Sequence, residues 1–306
     1  MSAITVSVFM LTYNQEYFIA NAIESILMQE TDFKYQLVIG EDYSLDSTRE
    51  ICERYAKQHP EKVKLLPILN KNIGLIKNYF RTIQECNGKY IAICDGDDYW
   101  VDKLKLQKQV DFLERNLDYS IVGSNYTRLY KDNRMVECKK YTSQSVFEFD
   151  DLVFKNLVPS VTALFRNVPK SDPLPKWILN FPYGDWPTYL WVLKNGGKIH
   201  YLEDITAVYR MDIGVSAQIR KIISDIELIN LNILYCLELD ERFIHKRTLI
   251  TESILKTRTS LMSAYNREKK YLKGIKLFFE IFAKQKNKFV LIKFYIYSLF
   301  KSMKLP

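Results

Sequence analysis

Three carboxylates fall within four residues in Cys94-Asp95-Gly96-Asp97-Asp98-Tyr99-Trp100, directly after an apolar run. In an extended segment Asp95 and Asp97 share one side, while Asp98 turns away as the chain leaves the strand. Carboxylates this close repel and raise one another's pKa unless a cation lies between them. A hard divalent ion, Mn²⁺ or Mg²⁺, held by one or two carboxylates and completed by substrate phosphates, removes that conflict. A solvated acidic turn, with Asp98 or Asp102 capping the next helix, accounts for the same residues without a metal.

The elements that would position this turn are legible in the first 125 residues. Apolar runs at 4–11, 35–40, 63–69 and 89–94 read as buried strands, and the segments near 15–29, 47–59, 74–86 and 102–116 have helical spacing. That alternation predicts an α/β domain with a mostly parallel, Rossmann-like central sheet and flanking helices. Ligands of such sheets sit beyond the carboxyl ends of the strands. Those ends carry Thr12-Tyr13-Asn14, Glu41-Asp42, Asn70-Lys71-Asn72 and the acidic turn. Ser47 with Glu50 reads as a capping box for the second helix.

Beyond a further strand at 120–130 the pattern loosens. Residues 131–157 are polar and mixed, and short strand-like pieces at 161–165, 199–202 and 206–210 surround the aromatic segment FPYGDWPTYLWVLKNGG. In that segment Asp185 precedes Pro187 as a helix N-cap would. Trp186, Tyr189 and Leu190 have helical spacing, so core packing and a stacking platform both fit Trp186.

Taken in order, these elements resemble a family 2 glycosyltransferase of GT-A fold, the inverting group that uses nucleotide diphosphate sugars. The resemblance runs from about residue 5 to 216. It rests on VSVFMLTYNQEYFIANAIESILMQ, LVIGEDYSLDST, NIGLIKNYFRTIQECNGKYIAICDGDDYW, residues 183–186 and YRMDIGVS. It implies that Thr12, Tyr13 and Asn14 line the donor nucleotide, that Asp42 accepts from the base and that Lys77 stands where relatives often have Arg. Asp95 would lie by the ribose or the metal, and Asp97 would bind the metal between the phosphates. Asp185 matches the general base. Arg210 would touch phosphate or order the closing loop, and Asp212 stands where many relatives place a metal-binding His.

Composition sets the remaining bounds. The 306 residues are 47% hydrophobic and 26% charged, as in globular chains. Five cysteines without a CxxC pair argue against a disulfide framework and fit a reducing compartment. The start MSAITVSVFMLTYN lacks the basic region of a signal peptide. The net charge of +8 is unevenly placed: residues 267–306 hold Arg267 and ten lysines against Glu268 and Glu280, and the rest sums to −1. The expected division is a GT-A domain at 1–218 and a basic helical region at 219–306.

That tail interleaves Lys with Phe, Leu, Ile and Tyr. It fits either an amphipathic hairpin on an anionic membrane surface or a hairpin packed on the catalytic body. The expected partners are a nucleotide-sugar donor, a UDP-sugar, and a glycan or lipid-linked acceptor. The expected location is cytoplasmic, peripheral on the inner face of the plasma membrane. A sugar-1-phosphate nucleotidyltransferase is the rival enzyme reading, but TYNQEYF lacks the glycines of its phosphate loop. A basic nucleic-acid-binding protein is the rival non-enzyme, and the near-neutral body weakens it.

Overall fold

The structure is a computed structural model that describes residues 3–142, 144–214, 217, 221–284 and 287–303. Four strands, β1 (Val6–Thr12), β2 (Tyr35–Glu41), β3 (Val63–Leu65) and β4 (Tyr90–Ile93), run parallel in the order β3-β2-β1-β4. They alternate with α1 (Ile19–Leu27), α2 (Thr48–Gln58) and α3 (Leu75–Gln84). β1 is buried on both faces, which explains a mostly apolar sequence interrupted only by the buried Ser7 before Thr12. Val8 and Met10 join the main core with Ile23 and Ile26 of α1, while the Phe9 ring meets the Tyr79 ring of α3 edge-on at 4.8 Å.

The chain continues through β5 (Tyr99–Trp100), α4 (Lys105–Arg115), β6 (Tyr119–Leu129), β7 (Met135–Cys138), β8 (Phe147–Glu148), α5 (Phe149–Leu152), β9 (Leu164–Arg166), α6 (Asp185–Val192) and β10 (Lys198–Arg210). The sheet extends past β4 as β9-β6-β10-β5, with β9 antiparallel to both neighbours and β10 parallel to β6. The two short strands expected at 199–202 and 206–210 are one long strand carrying register shifts after Leu202 and Ile205. Asn125 of β6 serves the irregularity: its amide donates to the carbonyls of Tyr141 and Glu203, and its oxygen accepts from the backbone N–H groups of Lys140 and Tyr141. The strand expected at 63–69 stops at Leu65, two residues before Pro67, which has no N–H for a ladder.

The capping box expected at Ser47 and Glu50 is not formed. Ser47 makes no side-chain cap bond; Asp46 Oδ1 accepts from Thr48 N instead, at 3.0 Å. The freed Thr48 hydroxyl accepts from Gln15 N at 2.7 Å, tying the second helix to the turn after β1.

The chain forms two compact units. The first ends at Gly214, and Val153–Lys155 within its span belongs to the second. The boundary expected at 218–219 lies outside the described residues, as do Val215 and Ser216 of the last motif. The second unit holds α7 (Ile223–Leu239), α8 (Arg247–Arg267), α9 (Tyr271–Lys284) and α10 (Lys288–Met303). Ser253 of α8 donates to the Val153 carbonyl, which accounts for that three-residue excursion.

One buried cation lies just beyond the acidic turn. The Lys105 side chain is fully buried, 4.2 Å from the Trp100 ring centroid, and donates to Gln109 Oε1 at 2.7 Å. Desolvation lowers its pKa to about 7. Between that value and the ordinary lysine range the unfolded chain binds a proton that the folded chain does not, so stability rises with pH across this window. Relative to a Lys105→Met variant, wild-type stability measured by denaturant titration should climb from pH 7 to 10, by at most about 1.4 kcal/mol per pH unit. Parallel pH profiles for the two proteins would show that the lysine does not titrate there.

Candidate active site

The acidic turn sits where the strand order changes direction between β1 and β4, the crevice in which α/β sheets bind ligands. Gly96 N donates to Leu11 O at 2.9 Å, so the turn lies against the end of β1. A Cβ at position 96 would come within 2.5 Å of Gln15 Oε1 and 2.8 Å of Thr12 Oγ1, which is why the D-G-D spacing needs glycine. Thr12 is buried and donates to Gln15 Oε1, and the Gln15 side chain also hydrogen-bonds Asp97.

Among the described residues Asp95 Oδ1 is buried with no hydrogen-bond partner. Desolvation, together with the Asp97 and Asp185 carboxylates, pushes Asp95 up to about 7. Desolvation also raises Asp97, against the opposing pull of Arg210. Asp98 is raised further, by burial and by Asp97. Its role is structural: Oδ1 accepts from Arg210 N at 2.8 Å. The Arg210 guanidinium donates to the Asp97 carbonyl at 2.6 Å and to Asn21 Oδ1 at 3.2 Å, between the rings of Phe18 and Tyr99. Arg210 therefore orders the acidic turn itself, which adds to the two roles expected for it.

Asp185 opens α6; the helix N-cap is Gly184, which corrects the expected capping position by one residue. The first turn of a helix is a favourable place for a carboxylate. Asn156 Nδ2 donates to Asp185 Oδ2 at 2.9 Å. The start of α6 is held from α3, where the buried Tyr79 hydroxyl bonds Thr188 Oγ1 at 2.9 Å. Trp186 is buried and donates to Leu152 O, and Tyr189 and Trp191 are buried too. Trp186 is thus a packing residue and not an acceptor platform.

The nucleotide-side residues divide. Tyr13 is exposed. Asn14, at a left-handed φ of 52°, laces the first two loops: its N–H donates to Ser44 Oγ and its Oδ1 accepts from Leu45 N. Asp42 is buried, and its two carboxylate oxygens accept from Ile73 N and Gly74 N, fixing the approach to α3. Lys77 is exposed, whereas Arg81, one turn further along α3, donates to Glu41 O at the end of β2 and to Pro67 O just past β3. The cation at that strand end is therefore Arg81 and not Lys77.

Asp212 is exposed, at φ 63°, in the wall of a cavity of about 440 Å³ shared with Phe18, Tyr130, Lys131 and Arg210. Among the described residues no three His, Cys, Asp or Glu side chains converge as a metal cage. Gly214 comes close to the turn instead: a Cβ there would lie 2.7 Å from Asp97 Oδ2.

Four residues of this site escaped the sequence reading. Gln15 follows the T-Y-N turn directly, and Arg81 shares a helix face with Lys77; both offsets were open to inspection. Asn156 had no local signal, because long-range packing brings it in, and Gly214 lies within YRMDIGVS but its approach to Asp97 is set by long-range packing.

The profile described as glycosyl transferase family 2 matches residues 7–165. An uncharacterized protein of Mycobacterium tuberculosis, Rv1520, is 32% identical over 207 residues, 67% of this chain and 58% of that protein. The chain thus spans rather more than half the length of that relative. Among solved structures, S. aureus TarS 1–349 in complex with UDP-GlcNAc superposes with a TM-score of 0.60 at 14% identity, covering 97% of this chain and 89% of the other. The mannosyltransferase PcManGT of Pyrobaculum calidifontis, in complex with GDP-Man and Mn²⁺, gives 0.57 at 15% identity, covering 99% and 88%. These two likenesses establish the GT-A fold. With the family profile covering the first strands, their loops and the acidic turn, the chain belongs to glycosyl transferase family 2.

Proposed function

We propose that the chain transfers a sugar from a nucleotide diphosphate donor, a UDP-sugar, to a hydroxyl of a glycan or lipid-linked oligosaccharide, inverting the anomeric centre. The observation that carries this is the unpartnered, buried Asp95 Oδ1 beside Asp97 and Asp185 at the end of β4. A buried acceptor atom without a donor is costly unless a ligand supplies the partner. A crowded carboxylate group fits a hard cation completed by phosphate oxygens, so Asp95 and Asp97 are the residues that would hold Mn²⁺ or Mg²⁺. Bound there, the ion would offset the negative charge that develops on the departing diphosphate. The complexes of TarS with UDP-GlcNAc and of PcManGT with GDP-Man and Mn²⁺ support a nucleotide-sugar donor.

Asp185 takes the acceptor's proton. As the acceptor oxygen bonds to the anomeric carbon, the bond from that carbon to the diphosphate breaks and the hydroxyl proton passes to the carboxylate. Asn156 holds one Asp185 oxygen and so sets the direction from which the base reaches the hydroxyl. Arg210 and Asp98 keep the turn closed by bonds within the protein. A setting on the cytoplasmic side of the plasma membrane, where nucleotide sugars are made and thiols stay reduced, fits the five free cysteines.

The reading is tested by following product anomer by NMR with a panel of nucleotide sugars. An inverted product supports it, and a retained configuration contradicts it. Asp97→Asn and Asp185→Asn should each cut transfer by roughly 10²–10⁴-fold with melting temperature unchanged. Undiminished turnover by purified Asp185→Asn would remove Asp185 as base. Asn156→Ala should lower kcat about tenfold while leaving donor KM near the wild-type value, because the bond orients the base and touches no donor. A rise in KM alone would assign Asn156 to donor binding.

A further inference from the structure

The last helix of the second unit, α10, is apolar on nearly every side. One stripe is accounted for: Leu291, Tyr295 and Ser298 face inward, with Leu291 and Tyr295 packed with Met262 of α8 and Ile281 of α9, while Asn266 Nδ2 donates to Ser298 Oγ at 2.7 Å. The rest of the helix exposes Phe289, Val290, Ile292, Ile296, Tyr297 and Phe300, each between 37% and 65% exposed. A water-facing helix should be polar on that side, and a contiguous exposed apolar face marks an interaction surface.

The charges on that face choose the occupant. Residues 288–303 contain Lys288, Lys293 and Lys301 and no Asp or Glu. Lys293 and Lys301 lie over the rings of Phe289 and Tyr297, at 4.5 and 5.7 Å, so the ammonium groups rise from within the apolar face. A second copy meeting the first through this face would set lysines against lysines with no carboxylate between them, which is unfavourable. An anionic lipid surface satisfies both properties, taking rings and aliphatic chains among its acyl chains and ammonium groups among its headgroups. The helix does not span: no helix among the described residues is long and apolar enough to cross a membrane, and 16 residues reach only about 24 Å.

We propose that the outward face of α10 docks on an anionic bilayer surface, with Phe289, Ile296 and Phe300 inserted and Lys293 and Lys301 at the headgroups. The proposal stands on this helix alone and is independent of the sugar-transfer reading. Leu272 and Phe279 of α9, in the same unit, are exposed as well.

Sedimentation of the full chain with vesicles tests it, comparing phosphatidylcholine alone with phosphatidylcholine containing 30% phosphatidylglycerol. The wild type should bind the anionic vesicles at least tenfold more tightly, and the preference should weaken at high salt. Lys293→Glu/Lys301→Glu should lose that preference with its circular dichroism unchanged. Phe289→Ser/Phe300→Ser, which alters exposed positions only, should lower binding to both vesicle types. Equal binding of wild type and both variants, or no binding of wild type to anionic vesicles, overturns the proposal. So does a lipid-free dimer that the serine variant abolishes, since that outcome makes a second copy the occupant.

Discussion

Carboxylates crowded where water is scarce are the constraint around which the catalytic unit is built. Asp95, Asp97 and Asp98 leave the end of β4 together, and Asp185 approaches from α6 closely enough to add to the burden on Asp95. With desolvation the leading cause, ionising Asp95 costs a few kcal/mol in the protein alone. Asp98 is relieved locally by the backbone N–H of Arg210, and the Arg210 guanidinium adds positive charge beside Asp97. Asp95 Oδ1 has no such relief among the described residues. The turn is thus held in place by bonds to Asp98 and to the Asp97 backbone, while the Asp95 carboxylate stays short of a partner for Oδ1 among the described residues.

That division explains much of the surrounding architecture. The loops after β1 and β2 are laced by Asn14, Gln15 and Glu16 against Ser44, Asp46 and Thr48, so polar residues at strand ends support one another before any ligand arrives. The backbone after β10 doubles back over Asp97, with Gly214 close to its carboxylate. Tyr79 ties α3 to α6, so α3 also steadies the start of the helix that carries Asp185.

What could be read from the sequence follows from the range of the interactions. The parallel strands, their helices and the acidic turn are local patterns, and they appear where their periodicity places them. Ser47 makes no side-chain cap bond and Asp46 accepts from Thr48 N instead, a choice that spacing cannot make. Lys77 and Arg81 are equivalent on a helical wheel, and only the position of β2 separates them. Trp186 fitted core and surface equally until the Leu152 carbonyl appeared as the partner of its ring nitrogen. Asn156 lies in a stretch with no periodicity, and its link to Asp185 spans 29 residues. The net charge of +8 described neither part of the chain: the tail carries it, and the catalytic unit binds anions, on this account, through a cation it must acquire.

The central claim is that the acidic turn accepts a nucleotide diphosphate sugar only together with a divalent ion. Thermal unfolding of the wild-type chain with a panel of nucleotide sugars, each with Mn²⁺ and each with EDTA, addresses it directly. The account predicts that at least one donor raises the unfolding temperature by several degrees with Mn²⁺ and that the rise disappears with EDTA. An equal rise in both conditions, or no rise with any donor in the presence of Mn²⁺, would contradict it.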